Sequence, residues 1–267
     1  MSKNSTRRKL AISTWSRPTE GNIYGKMIID CSAAQGYLAE LRETSGEKVT
    51  ITHLVIKAVG EALKAVPDLN GRILFGRFVP FDTVDVACLV SLEDGKDLAK
   101  VKICDVDQKS VADIAAELRQ RATRLAAGKD DDFEKSKGVL RALPTWLLRP
   151  MIRWVGWLSS ALGASIPALG VERFPFGSCI ITSVGMLGVD EGYAPPTPFA
   201  RTPVLVLIGA MRDQPAVVDG ELAIRPQMVI TATIDHRFID GFQGGTLVRV
   251  MRSVMADPGK FDSRGES

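Results

Sequence analysis

Apolar residues recur three and four positions apart in some stretches of the chain and cluster in short runs in others, a contrast that predicts alternating helices and strands. Residues 26–30 (KMIID) read as a short strand and residues 33–43 as a helix, with Ser32 in the capping position. Residues 50–66 have helical spacing, and Pro67 follows their end. Asp68-Leu69-Asn70-Gly71 is turn chemistry. Residues 73–91, rich in Val, Phe and Leu, read as strands; a turn at Glu93-Asp94-Gly95 leads to another over 98–104. Residues 110–127 form an amphipathic helix stopped by Gly128. From Gly177 the pattern turns to β, with strands predicted at 178–182, 204–210, 216–218, 222–224 and 228–234. A proline-rich loop at 194–203 separates the first two, and 242–255 is the closing helix.

The intervening stretch is different. Asp130, Asp131, Asp132 and Glu134 read as a solvated acidic turn. Over 138–163, Leu140, Leu143, Leu147, Met151, Trp154, Leu158 and Leu162 fall three or four apart, with Arg141, Arg149 and Arg153 among them. Pro144 and Pro150 are expected to break this segment into pieces. Its apolar face either packs on its own domain or lies on a membrane surface or partner. Residues 154–171 carry no charge, but they fall short of the roughly 20 apolar residues of a spanning helix, and Gly156, Gly163, Gly170 and Pro167 interrupt them. No repeat or Pro/Ser-rich linker divides the chain. It reads as an N-terminal arm (1–22), one α/β domain with a central mixed sheet flanked by helices (23–256), and a polar tail (257–267).

Composition narrows the function. The 267 residues carry a net charge of only +3, which argues against a nucleic-acid-binding protein. Cys31, Cys88, Cys104 and Cys179 are scattered with no CxxC pair, and two histidines cannot furnish zinc-finger spacing, so no metal site is expected. Scattered thiols behind an N-terminus with no apolar signal segment point to a cytoplasmic protein.

With two histidines, general-base chemistry has few candidates. His53 lies within an apolar helical run and reads as a packed or capping residue. His236 ends an apolar strand in the string Asp235-His236-Arg237-Phe238-Ile239-Asp240-Gly241, where Arg237 and Asp240 offer charged partners. From the residues alone, a catalytic and a structural His236 stand level.

This string resembles the HxxxDG signature of the dihydrolipoamide acyltransferases of 2-oxoacid dehydrogenase complexes, which share their fold with chloramphenicol acetyltransferase. Asp219-Gly220-Glu221 through Arg225-Pro226 resembles the family's DGE-x-x-x-RP hairpin, and Ile180-Ile181-Thr182-Ser183-Val184-Gly185 its TISNLG stretch. Lys57-Ala58-Val59 with Pro67 and Asn70 resembles its KAV helix, and residues 7–15 resemble its entry segment more weakly. The resemblance implies a chloramphenicol acetyltransferase-like fold and transfer of an acyl group between coenzyme A and a dihydrolipoamide thiol. His236 would be the base, and Thr182 would stand where the family has its oxyanion-donating serine. Asp240 would orient the site through an ion pair, with Arg7 or Arg8 as candidate partner. Ser183 is the fallback donor, and Ser183, Arg237 and Gly241 are read as substrate-binding positions. The implied assembly is a homotrimer in which His236 of one chain faces Thr182 of its neighbour.

The sequence also departs from the family pattern. No segment reads as a lipoyl domain, so no covalent lipoyl group is expected on this chain, and a lipoyl-bearing protein would act in trans. The polar tail lacks the apolar ending that builds larger cores, so a trimer that stops at three is expected. Residues 129–176 replace a shorter connection. Two other functions stay open: acyl transfer from acyl-CoA to a small-molecule amine or hydroxyl, and a non-catalytic trimeric scaffold or a module docking on a membrane through 138–163.

Overall fold

The computed structural model describes residues 21–92, 97–128 and 143–262, together with the single residues 130, 135 and 138. In chain order the elements are β1 (Asn22–Asp30), α1 (Ser32–Ser45), α2 (Ile51–Ala65), β2 (Gly71–Leu74), β3 (Arg77–Pro80), β4 (Val86–Leu92), β5 (Asp97–Ile103), α3 (Val111–Ala126), α4 (Thr145–Gly156), β6 (Cys179–Ser183), β7 (Val204–Val218), β8 (Glu221–Asp235) and α5 (Gly241–Ala256). Six strands form one sheet in the order β1-β8-β7-β6-β4-β5, and β2 and β3 make a separate hairpin. The sheet is mixed: β4, β6 and β7 run parallel and the other pairings are antiparallel.

Alternation along the strands gives each sheet face its own core. Ile181, Val206, Ile208 and Ile230 point to the helical side, where they meet Leu38 of α1, Leu54, Val55 and Leu63 of α2, Ile114 of α3 and Val254 of α5. Ala87, Ile180 and Leu205 point the other way and pack with Ala200. The loop before β7 lies across this second face. Thr231 and Thr233 of β8 donate their hydroxyls to the carbonyls of Gly192 and Ala194, and Tyr24 of β1 meets Tyr193 edge-on.

Several local expectations are corrected. The four strands predicted over 204–234 are two, β7 and β8, joined as one long hairpin through Asp219-Gly220. Both turn residues have positive φ, +52° and +86°, the geometry whose twist suits a two-residue hairpin. Ser32 is the first residue of α1 rather than its cap; the Asp30 carboxylate accepts hydrogen bonds from both its N–H and its hydroxyl. Pro144 does mark a start, but Pro150 sits inside the continuous helix α4. Its ring removes one intrahelical hydrogen bond, and Pro150 itself is exposed to solvent. The predicted turn at 93–95, the arm through residue 20, Asp131 to Glu134 and the tail from 263 lie outside the described residues.

The segment around α4 is anchored to its own domain on one side. Leu148, Ile152 and Gly156 are buried. A Cβ at Gly156 would stand 2.5 Å from the Phe199 carbonyl oxygen, so the helix reaches that loop only with glycine there. Arg72 Nε donates to the Ala161 carbonyl at 2.8 Å, and its guanidinium lies 4.5 Å from the Phe174 ring centre. Beyond, Glu172 holds Lys100 at 2.5 Å and Lys102 at 3.4 Å. Among the described residues no helix is long and apolar enough to cross a membrane.

Candidate active site

The end of β8 sets the geometry. Asp235 closes the strand by donating its N–H to the Pro203 carbonyl at 2.9 Å, and the chain then turns sharply. Asp235 also ties that turn. Its carboxylate accepts from the Arg237 backbone N–H at 3.0 Å and from the guanidinium at 2.5 to 3.0 Å. Ile239, 4% exposed, pins the far side of the turn in the core. Between these anchors the His236 imidazole is exposed, with Nδ1 2.8 Å from the Ile239 carbonyl oxygen. A carbonyl oxygen only accepts, so Nδ1 carries the proton and the lone pair falls on Nε2. The local fold thus leaves Nε2 as the proton-accepting nitrogen of an exposed histidine.

Asp240 serves the next element. Its side chain accepts from the Phe242 N–H at 2.9 Å, and Gln243 Oε1 accepts from the Asp240 N–H at 3.2 Å. This reciprocal pair caps α5. Among the described residues no cation pairs with Asp240; Arg7 and Arg8 lie outside them. Gly241 is the first residue of α5, and a Cβ there would meet nothing within 4 Å, so no packing demands glycine. Arg237 has a second role as a wall. With Phe238, Asp68, Ile73, Gly76 and Phe78 it lines a cleft of about 210 Å³ between the histidine turn and the β2–β3 hairpin. Phe78 and Phe238 meet edge-on across it, with ring centres 6.3 Å apart.

Thr182 and Ser183 lie elsewhere. Pleating puts Thr182 on the Ile180 face and Ser183 on the face of Cys179 and Ile181. Both are half-buried, and neither hydroxyl has a hydrogen-bond partner among the described residues. Thr182 pairs with Leu207, and Leu207 with Thr231. His236 is five residues beyond Thr231, which at about 3.3 Å per residue is roughly 17 Å along the strands, and two strands across. One chain therefore does not bring His236 and Thr182 together.

The other histidine and the three buried cysteines are poor candidates for base or nucleophile. His53 Nδ1 accepts from the Thr50 N–H at 3.0 Å, and burial lowers its pKa to about 4. It is a neutral cap. Burial pushes the Cys31 and Cys88 thiols up to about 12, and Cys179 higher still, which keeps them protonated. Among the described residues no group of three His, Cys, Asp or Glu side chains is placed to hold a metal ion. Sequence reasoning missed the Ile239 carbonyl and the cleft wall at Asp68, Ile73 and Phe78. The first is a backbone group; the second comes from a hairpin distant in sequence. The sequence offered Arg237 and Asp240 as the charged partners beside the histidine; in the structure Arg237 is clipped to Asp235 instead, and Asp240 caps α5.

The family model for the 2-oxoacid dehydrogenases acyltransferase (catalytic domain) matches residues 15–138 and 165–261. The chain belongs to this family. Among the acyltransferases it resembles is the dihydrolipoyllysine-residue succinyltransferase component of the Escherichia coli K12 2-oxoglutarate dehydrogenase complex, 26% identical over 248 residues, which cover 92% of this chain and 50% of that protein. The chain spans about half the length of the curated relatives it matches. A probable dihydrolipoamide acetyltransferase from Listeria monocytogenes has the same fold, with a TM-score of 0.68 at 17% identity, over 100% of this chain and 97% of that one. So does the Azotobacter vinelandii dihydrolipoamide acetyltransferase, solved to investigate the catalytic role of a serine, a histidine and an asparagine (TM-score 0.66, 19% identity, 91% and 84% covered). Chloramphenicol acetyltransferase follows at a TM-score of 0.50 and 13% identity, with 95% and 96% covered. The acyltransferase match skips residues 139–164, a narrower departure than the predicted 129–176, and those residues contain α4.

Proposed function

We propose that this domain transfers an acyl group between coenzyme A and a dihydrolipoyl thiol carried by another domain or chain. The observation that carries the reading is the exposed His236, whose Nδ1–H is held on the Ile239 carbonyl so that Nε2 is left as the proton acceptor, at the end of the β8 strand of an acyltransferase-family domain. Nε2 takes the proton of the incoming thiol, whose pKa of about 8.5 leaves it mostly protonated at neutral pH. The thiolate sulfur attacks the thioester carbonyl carbon, and a new C–S bond forms as the C=O electrons move to oxygen. The Thr182 hydroxyl donates to that oxyanion. Collapse restores C=O and expels the other thiolate, which recovers the proton from Nε2.

His236 and Thr182 stand five residue positions apart along the sheet, so a second copy must supply one of them. A homotrimer with its sites between chains fits this requirement. Beyond the sheet, the β7–β8 hairpin carries Val217, Leu222 and Ile224 exposed on one face, apolar surface of the kind that copies bury against each other. The Azotobacter protein's serine and histidine would correspond to Thr182 and His236, and its asparagine to Asp240, which here caps α5.

The test is acetyl transfer from acetyl-CoA to free dihydrolipoamide, with wild type beside His236→Ala. The expected loss is about 10²–10⁴-fold with an unchanged melting temperature. A variant as active as wild type overturns the reading.

A further inference from the structure

α4 is apolar on both sides, and only one side is covered. The inner residues Leu148, Ile152 and Gly156 are buried, and the Arg72 contact to Ala161 fixes the turn that follows. The helix cannot roll to hide its other face. There Trp146 is 76% exposed and Trp154 66%, and Leu147 is exposed as well; Leu162, beyond the end of the helix, is also exposed. Trp154 stands edge-on to Trp157, ring centres 6.0 Å apart, which holds the indole in place.

We propose that this face docks on an anionic phospholipid surface, with α4 lying in the plane of the headgroups. Three observations favour a bilayer over a second copy of the chain. Residues 139–164 fall outside the match to the family model, so this face is not part of the domain that family members share. The outward residues include two tryptophans, whose rings bring an apolar body and a polar N–H to the same place and favour the headgroup level of a membrane. From residue 135 to residue 171 the sequence carries Lys135, Lys137, Arg141, Arg149 and Arg153 and no acid. Lys135, Arg149 and Arg153 also hold partners within the chain, so the preference for anionic lipid belongs to the net charge of the stretch as a whole. The acidic run at 130–134 ends where this stretch begins, and Glu172 beyond it is committed to Lys100 and Lys102. α4, at 12 residues, is too short to span, so it lies on the surface rather than across it. This inference is independent of the acyl-transfer reading.

The experiment is flotation of the full chain with phosphatidylcholine vesicles and with phosphatidylcholine–phosphatidylglycerol vesicles, wild type beside the double variant Trp146→Ala/Trp154→Ala. Both indoles are exposed, so the variant should keep the wild-type melting temperature and acyl-transfer rate. Wild type should float with the anionic vesicles more strongly than with the neutral ones, and its tryptophan emission should shift to the blue. The double variant should bind at least about tenfold more weakly. The proposal is overturned if wild type stays at the bottom of both gradients, if it binds both vesicles equally, or if the variant binds as well as wild type. A wild type that ignores vesicles while the double variant changes oligomeric state would assign the face to a second copy instead.

Discussion

Thr182 and Ser183 carry the same hydroxyl one residue apart, and the pleat of β6 sends them to opposite faces of the sheet. If Thr182 donates to the oxyanion, Thr182→Ala should slow acyl transfer by about 10²–10³-fold, and Thr182→Ser should keep most of the rate. Ser183→Ala should change it little; a larger loss there than at Thr182 in the same assay would reverse the assignment. His53 gives a pH prediction. Below its ordinary value of 6.5 the unfolded chain takes up a proton that the buried, folded residue, at about 4, refuses. Stability therefore falls as pH drops from 6.5 towards 4, by about 3 kcal/mol over the whole window from this group, and this contribution is level below it. His53→Gln can still accept from the Thr50 N–H but does not titrate, so its melting temperature should depend less on pH across that window; an unchanged slope would place the sensitivity elsewhere. His236, Arg237 and Asp240 could be named as candidates because they share one seven-residue string. The Ile239 carbonyl that sets the His236 tautomer was not, because a backbone oxygen leaves no mark on residue choice.

At the scale of elements, periodicity found the helices that build the core and misread what lies outside it. α2 and α3 match their predicted spans within a residue, with Thr50 and Ser110 as caps, since each buries a face in the main core. The β7–β8 arm was split because Arg212-Asp213-Gln214-Pro215 looks like a loop. Beyond the sheet one face of the arm is exposed and the other only half-buried, so no core within the chain enforces its alternation. Pro150 was misread because an exposed carbonyl tolerates the missing donor. α4 depends on Gly156. Gly156→Val would drive carbon into the Phe199 backbone, and the variant should lose about 1–3 kcal/mol, read as a lower melting temperature. A variant as stable as wild type would mean that the helix does not sit against that loop.

At the scale of the molecule, the sequence carried the fold family because its motifs fall on the parts that define the sheet: the β7–β8 turn, the β6 strand and the end of β8. It could not carry the position of one copy against another. On the proposed mechanism that position decides the chemistry, because His236 and Thr182 are remote within a chain. The most direct test is to co-express His236→Ala and Thr182→Ala chains, purify the mixed assemblies, and measure acetyl transfer from acetyl-CoA to dihydrolipoamide. Each variant alone should be nearly inactive. In mixed cyclic assemblies, a site formed by the intact histidine of one chain and the intact threonine of the next should arise at roughly a quarter of the interfaces and restore about that share of the wild-type rate. Mixed assemblies no more active than either parent would contradict a site shared between chains.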